Sequence, residues 1–262
     1  MTDKNNFKQN QHYVPQFILR RFHSDEGRLY VYDKWSRRSF ASSTRNVASE
    51  KGFYNIEFDN KVVTLEPVMC EIEDAAISVI NAIIDDASLA SLTTVQRNAV
   101  AYFFGTQVMR TRSAREMLKH MQEGFRKALP EKKIEESQLM DGFFMDNEEL
   151  KISSLLNLGI ANDLAPQFLN KSWLLNQTPP GCSFYISDNP IVRKNDLPSS
   201  PLIGNNGFSC PGIQVYMPLS PTITLSFICE TLVAPFREHK QTKMAPNESI
   251  PLLDAIDSGQ PL

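Results

Sequence analysis

Two long stretches of helical periodicity in the middle of the chain, flanked on both sides by strand-forming segments, constrain the fold most. From Leu65, apolar residues recur at Val68, Met69, Ile72, Ala76, Val79, Ile80 and Ile83, the spacing of an amphipathic helix. The segment from Thr93 to Ala128 repeats the pattern at Val95, Val100, Phe103, Phe104, Val108 and Met109, with Thr93-Thr94 and Gln96 as a cap. Asp146 to Leu169 reads as a further helix, interrupted or ended near Pro166, after a charged connector over 130–146. Ahead of these helices, residues 15–22 read as a short helix with Pro15 at its first position. Leu29-Tyr30-Val31-Tyr32 reads as a strand, with a second after Trp35-Ser36-Arg37-Arg38, and 53–58 and 61–65 form a hairpin around Asp59-Asn60. Beyond the helices, Lys171 to Asn176, Ser183 to Ser187, Gln214 to Met217 and Thr222 to Cys229 read as strands, and 193–212 as a loop. Strands, then helices, then strands favour an α+β fold over a doubly wound sheet. The expected architecture is a single domain, with a mixed or antiparallel sheet from the N- and C-terminal strands joined into one and covered by a central group of long helices. From Lys240 the chain is polar and carries little packing signal.

With 42% hydrophobic and 22% charged residues, the chain is not of the disordered class. The best apolar run, Ile213 to Cys229, is broken by Pro218 and Pro221 and falls short of the ~18 residues of a membrane span. The N-terminus is polar and lacks the apolar core of a signal peptide. The expectation is a cytoplasmic protein without a membrane partner. Cys70, Cys182, Cys210 and Cys229 are widely spaced, with no Cys-x-x-Cys, and read as small buried apolar residues.

The net charge of −3 hides blocks of opposite sign. Residues 1–51 carry +5, 52–96 carry −7, 97–133 carry +6 and 134–163 carry −6. One reading is mutual neutralisation across the fold. The other is that the two basic blocks form a face for an anionic ligand such as nucleic acid.

His12 precedes Tyr13-Val14-Pro15, and Pro15 restricts Val14 to extended geometry. His12 and Tyr13 therefore sit on a rigid entry to a helix, where an imidazole serves as a general base, a metal ligand or a loop hydrogen-bond partner. In Phe184-Tyr185-Ile186-Ser187-Asp188-Asn189-Pro190 an apolar segment stops at Asp188, which either holds a metal or orients an imidazole, or closes a local turn with Asn189. On the Thr93 helix, Gln107 falls in the middle of the apolar stripe and Arg110 at its edge. Leaving a buried amide unpaired costs about 1–3 kcal/mol, and an unpaired charge costs more. Gln107 and Arg110 therefore need partners, and Asp188, Glu66 and Glu73 are the carboxylates available to Arg110. The sequence holds no phosphate-binding glycine loop, Gly-x-Ser-x-Gly or His-Glu-x-x-His.

Three segments carry a resemblance: Gln11-His12-Tyr13-Val14-Pro15 with Phe17, Leu19 and Phe22; Ser187-Asp188-Asn189-Pro190; and Pro218-Leu219-Ser220-Pro221. Together with Gln107-x-x-Arg110-Thr111 and the acidic helix start near Glu66, they resemble a mainly bacterial family known as domain of unknown function 4238. The resemblance runs from about residue 10 to 230, and the family's helical ending is not matched after residue 240. It implies a fold and a shared polar site of His12, Gln107, Arg110, Asp188 and Asn189 rather than an activity.

Two functional readings follow. In the first, the protein is a phosphodiester hydrolase, nuclease-like. His12, Arg110 and Asp188 are catalytic, Tyr13, Gln107 and Asn189 hold substrate, and Asp188 with Glu73 (or Glu66) binds a divalent cation. In the second, it is a non-catalytic binding or effector module, such as a defence or regulatory protein, and the same residues are a buried network that fixes the N-terminal segment.

Overall fold

Pro15 divides the N-terminal motif into an extended half and a helical half. The computed structural model describes residues 10–58, 61–131, 144–199, 204–245 and 248–262. Strand β1 (Asn10–His12) precedes the proline and helix α1 (Gln16–Arg20) follows it. The chain then forms β2 (Leu29–Asp33), β3 (Arg38–Ser42), a single 3-10 turn over Thr44–Asn46, β4 (Ser49–Lys51), β5 (Asn55–Phe58) and β6 (Lys61–Thr64). These six strands make three separate antiparallel ribbons, β1–β4, β2–β3 and β5–β6. The hairpin turn expected around Asp59-Asn60 lies outside the described residues.

The central region contains α2 (Glu66–Asp86), α3 (Thr94–Met109), α4 (Arg112–Glu131), α5 (Asn147–Leu156) and α6 (Ala161–Leu169). Pro67 occupies the first turn of α2, where a missing N–H costs no intrahelical bond. Thr93 and Gln96 close a reciprocal capping box on α3. The helix expected from Thr93 to Ala128 is two helices. Arg110 and Thr111 are both buried, and Thr111 Oγ1 accepts from the Ala114 amide, so Thr111 caps a new helix. That side-chain bond to the backbone starts a second helix at Thr111, which spacing alone does not reveal.

The last third builds a four-stranded antiparallel sheet from β7 (Ser172–Gln177), β8 (Val192–Lys194), β9 (Gln214–Pro218) and β10 (Ile223–Ile228), in the order β7-β10-β9-β8. The fold is α+β, as the sequence implies. The two strand regions do not join into one sheet among the described residues, because each N-terminal strand is paired within its own ribbon. Ser183 to Ser187 is not a strand. It lies between Pro179-Pro180 and Pro190, and its Phe184 amide bonds Pro221 O outside any ladder.

One face of the sheet packs on α3 and α6. Phe227 is wholly buried, with ring centroids 4.8 Å from Phe104, 4.8 Å from Phe168 and 4.9 Å from Trp173. The approach of α3 to α6 depends on Gly105, because a Cβ there would stand 2.8 Å from Ala161 O. Gly105→Ala is expected to destabilise the fold by about 1–3 kcal/mol, read as a lower urea midpoint. The opposite sheet face, with Leu174 and Ile228, is covered by α7 (Glu230–Lys243) and α8 (Pro251–Ser258) through Val233 and Leu253. Helix α8, in the segment read as polar with little packing signal, is therefore packed on the sheet. The cysteine expectation also fails: Cys70 and Cys182 are exposed and the other two half-buried. Among the described residues no helix is long and apolar enough to cross a membrane.

Candidate functional site

Arg110, 2% exposed at the C-terminal end of α3, is the hub of a buried polar network. Its Nε donates to Tyr54 Oη at 2.9 Å, and its Nη2 donates to His12 O at 2.6 Å. The same Nη2 lies 2.8 Å from Glu73 Oε1 on α2. Tyr54 Oη in turn donates to His12 O at 2.9 Å, so one carbonyl takes two donors. Gln107, one turn earlier, donates through Nε2 to Tyr13 O at 2.9 Å. Gln11 completes the arrangement: its Oε1 accepts the Tyr54 amide at 2.6 Å, and its Nε2 donates to Asn55 Oδ1 and Thr64 Oγ1. Helix α3 thus grips the backbone of Gln11-His12-Tyr13 at two consecutive carbonyls.

Burial would pull the Arg110 guanidinium below its ordinary pKa, but Tyr54 and Glu73 outweigh it and hold it above. Burial pushes the Tyr54 hydroxyl up to about 12, despite the opposing charge of Arg110. Below pH 10 Tyr54 is neutral in both folded and unfolded chains and contributes no pH dependence. Between its ordinary 10.0 and about 12, only the unfolded chain ionises. Folding stability is therefore lost as pH rises through that window, by up to about 1.4 kcal/mol per pH unit from this group. Tyr54→Phe is expected to flatten that part of the stability-versus-pH curve, measured by urea unfolding between pH 9 and 12.

His12 is 6% exposed. Its Nε2 lies 3.0 Å from Thr44 O, which only accepts, so Nε2 carries the hydrogen. Nδ1 then faces Gln16 Nε2 at 3.4 Å as acceptor. The imidazole lone pair is directed at this chain's own Gln16. Asp188 does not join the hub. Ser187, Asp188 and Asn189 are exposed in a turn in which Ser187 Oγ donates to Asn189 O at 2.7 Å and accepts the Asn189 amide at 3.1 Å. The carboxylate partner of Arg110 is Glu73.

A second, outward-facing charge cluster lies beside the hub at the Tyr13 hydroxyl. Burial raises the Tyr13 pKa, and the negative charges of Asp188 and Glu50 add to it, with Arg112 opposing. Glu50 is brought there by β1–β4 register opposite Gln11. It pairs with Arg112 at 3.4 Å and Arg115 at 3.7 Å, and Arg112 also meets Glu116 at 3.0 Å. Such partly exposed pairs each contribute little stability. They do neutralise cations of the second basic block.

The metal-ligand reading pairs Glu73 with Asp188. Glu73 is engaged by Arg110, and among the described residues no group of three or more His, Cys, Asp or Glu side chains could hold a metal ion. Sequence reasoning misses Gln11, Thr44, Glu50 and Tyr54. Gln11, next to His12 in the opening motif, offers the one available signal, since strand register places Glu50, and Thr44 and Tyr54 lie in turns that meet His12 only through long-range packing.

A family model described as "Protein of unknown function (DUF4238)" matches residues 10–250. The chain belongs to the DUF4238 family. That match takes in Gln11, His12, Tyr54, Glu73, Arg110 and Asp188, so the whole network lies within the DUF4238 region. It also extends through α7 to the edge of α8, past the point where the sequence motifs end. No curated protein and no solved structure matches.

Proposed function

We propose that this DUF4238 protein is a non-catalytic binding or effector module for an anionic partner, with the His12–Tyr54–Arg110–Glu73 network as its structural clasp. The observation that carries this reading is the direction of the Arg110 fork. A guanidinium that stabilises a phosphoryl group must face a substrate, whereas Nε and Nη2 of this one are directed at a tyrosine, a backbone carbonyl and a glutamate, and its Nη1 is buried. His12 points the same way, since a general base must reach a substrate proton and both ring nitrogens face this chain's own atoms.

The test is a cleavage assay on single-stranded DNA, RNA and duplex DNA with Mg²⁺ or Mn²⁺, beside the stability of two variants. The expected result is no cleavage above background. Asp188→Ala should keep stability within about 0.5 kcal/mol, as for an exposed position. His12→Ala should lose about 1–3 kcal/mol as Thr44 O loses its donor. Metal-dependent cleavage abolished in both folded variants would restore the hydrolase reading.

A further inference from the structure

We infer that the β2–β3 ribbon is a docking surface for single-stranded nucleic acid, with Tyr30 and Tyr32 as a stacking face and Lys34, Arg37 and Arg38 as the phosphate-binding cations. The inference rests on the anionic-partner reading above and names the surface and the partner.

The register fixes the two faces of the ribbon. Tyr30 pairs with Ala41 and Tyr32 with Ser39, so both rings stand on one face across from small residues. They are 75% and 60% exposed. Leu29 and Val31, on the other face, pack on the core and anchor the ribbon. Residues two apart on a strand stand about 6.6 Å apart, roughly twice the ~3.4 Å step between stacked bases. Two bases can therefore rest on the two rings of an extended strand. Trp35, at the tip of the turn, is 98% exposed.

The charge is complementary to phosphate. Lys34, Arg37 and Arg38 fall within five residues and are all exposed. None of the three is in an ion pair among the described residues, whereas Arg110, Arg112 and Arg115 are paired with glutamates. Asp33, the acid nearest the tip, is tied into its own turn. It accepts the Trp35 amide at 2.8 Å and the Ser36 hydroxyl at 2.7 Å. Arg37 adopts a left-handed φ of 53°, a conformation that glycine takes at no steric cost. The turn thus spends backbone energy to place a cation at the tip.

Aromatic faces flanked by cations are how proteins hold single strands without reading sequence, since every base offers a π face. Duplex DNA buries its bases and leaves the tyrosines without a role. A membrane is disfavoured by the tip itself, where inserting Trp35 would drag Lys34 and Arg37 into hydrocarbon.

The test is fluorescence anisotropy of a labelled oligothymidylate against the full chain, with duplex DNA and phosphatidylserine vesicles as the other arms. Tyr30→Ala and Tyr32→Ala are each expected to weaken oligothymidylate binding about tenfold without moving the melting midpoint, because both rings are exposed. Phe40→Ala, on the opposite face across from Val31, should leave binding unchanged. The combined Lys34→Ala, Arg37→Gly and Arg38→Ala variant should make the salt slope shallower by about 2, at roughly 0.7 for each phosphate no longer neutralised. Failure of the wild-type chain to bind oligothymidylate would overturn the inference. So would unchanged affinity in the Tyr30→Ala/Tyr32→Ala variant, or vesicle binding through these residues without oligonucleotide binding. Those outcomes leave the non-catalytic reading standing, and cleavage of the bound strand would overturn that reading without removing this surface.

Discussion

Replacing Arg110 with alanine is expected to cost about 3–5 kcal/mol, the penalty of breaking a buried ion pair from one side. Three groups are deprived of a partner at once: Glu73 Oε1, Tyr54 Oη and His12 O. Tyr54 still donates to His12 O, so that carbonyl is not orphaned. Glu73 is partly open to water, its side chain 24% exposed, which tempers its share. The loss should appear in urea unfolding as a lower midpoint with an unchanged slope, since the compactness of the native chain is not altered. Arg110→Lys is also destabilised. An ammonium keeps the charge but has no planar fork to reach a tyrosine oxygen and a carbonyl together. A loss below about 1 kcal/mol for Arg110→Ala, the size of one ordinary hydrogen bond, would mean that the network is decorative.

Phe227→Ala is the second large loss, again about 3–5 kcal/mol for truncating a buried phenylalanine. Its ring is the common neighbour of Phe104 on α3, Phe168 on α6 and Trp173 on β7, in edge-on or steeply tilted geometry with each. Removing it opens a void among three rigid elements, and β10 cannot settle inward while paired on both sides to β7 and β9. Trp173 is also held by its indole N–H on Phe168 O at 3.0 Å and by Arg97 stacked 5.0 Å over its ring. The neighbours are thus fixed and the cavity persists. Thermal unfolding of Phe227→Ala against Phe227→Leu separates the cavity contribution from the loss of the ring itself.

How far the chain can be read in advance differs from element to element. Helix α2 follows directly from its apolar spacing, and the start of α3 from Thr93 and Gln96, because both signals are local. Helix α8 escapes the periodicity although its marks are in the sequence: Pro251 in its first turn and Gly259 in left-handed geometry at its end. Its eight residues give too little periodicity to stand out from polar surroundings. The helical wheel places Gln107 among apolar residues, and it is fully buried. The wheel does not reveal which carboxylate meets Arg110. Asp188 and Glu73 are equally available by type, and the packing of α2 beside α3 makes the choice. The joined sheet fails for a similar reason, since strand propensity says nothing about which edges meet.

Arg110 and Tyr54 act as one unit to hold the opening motif in place. A double-mutant cycle on folding stability with Arg110→Met, Tyr54→Phe and the pair tests it most directly. The expected coupling energy is about 1–3 kcal/mol, as for residues in one hydrogen-bond network. Additivity of the two losses within about 0.5 kcal/mol would contradict it.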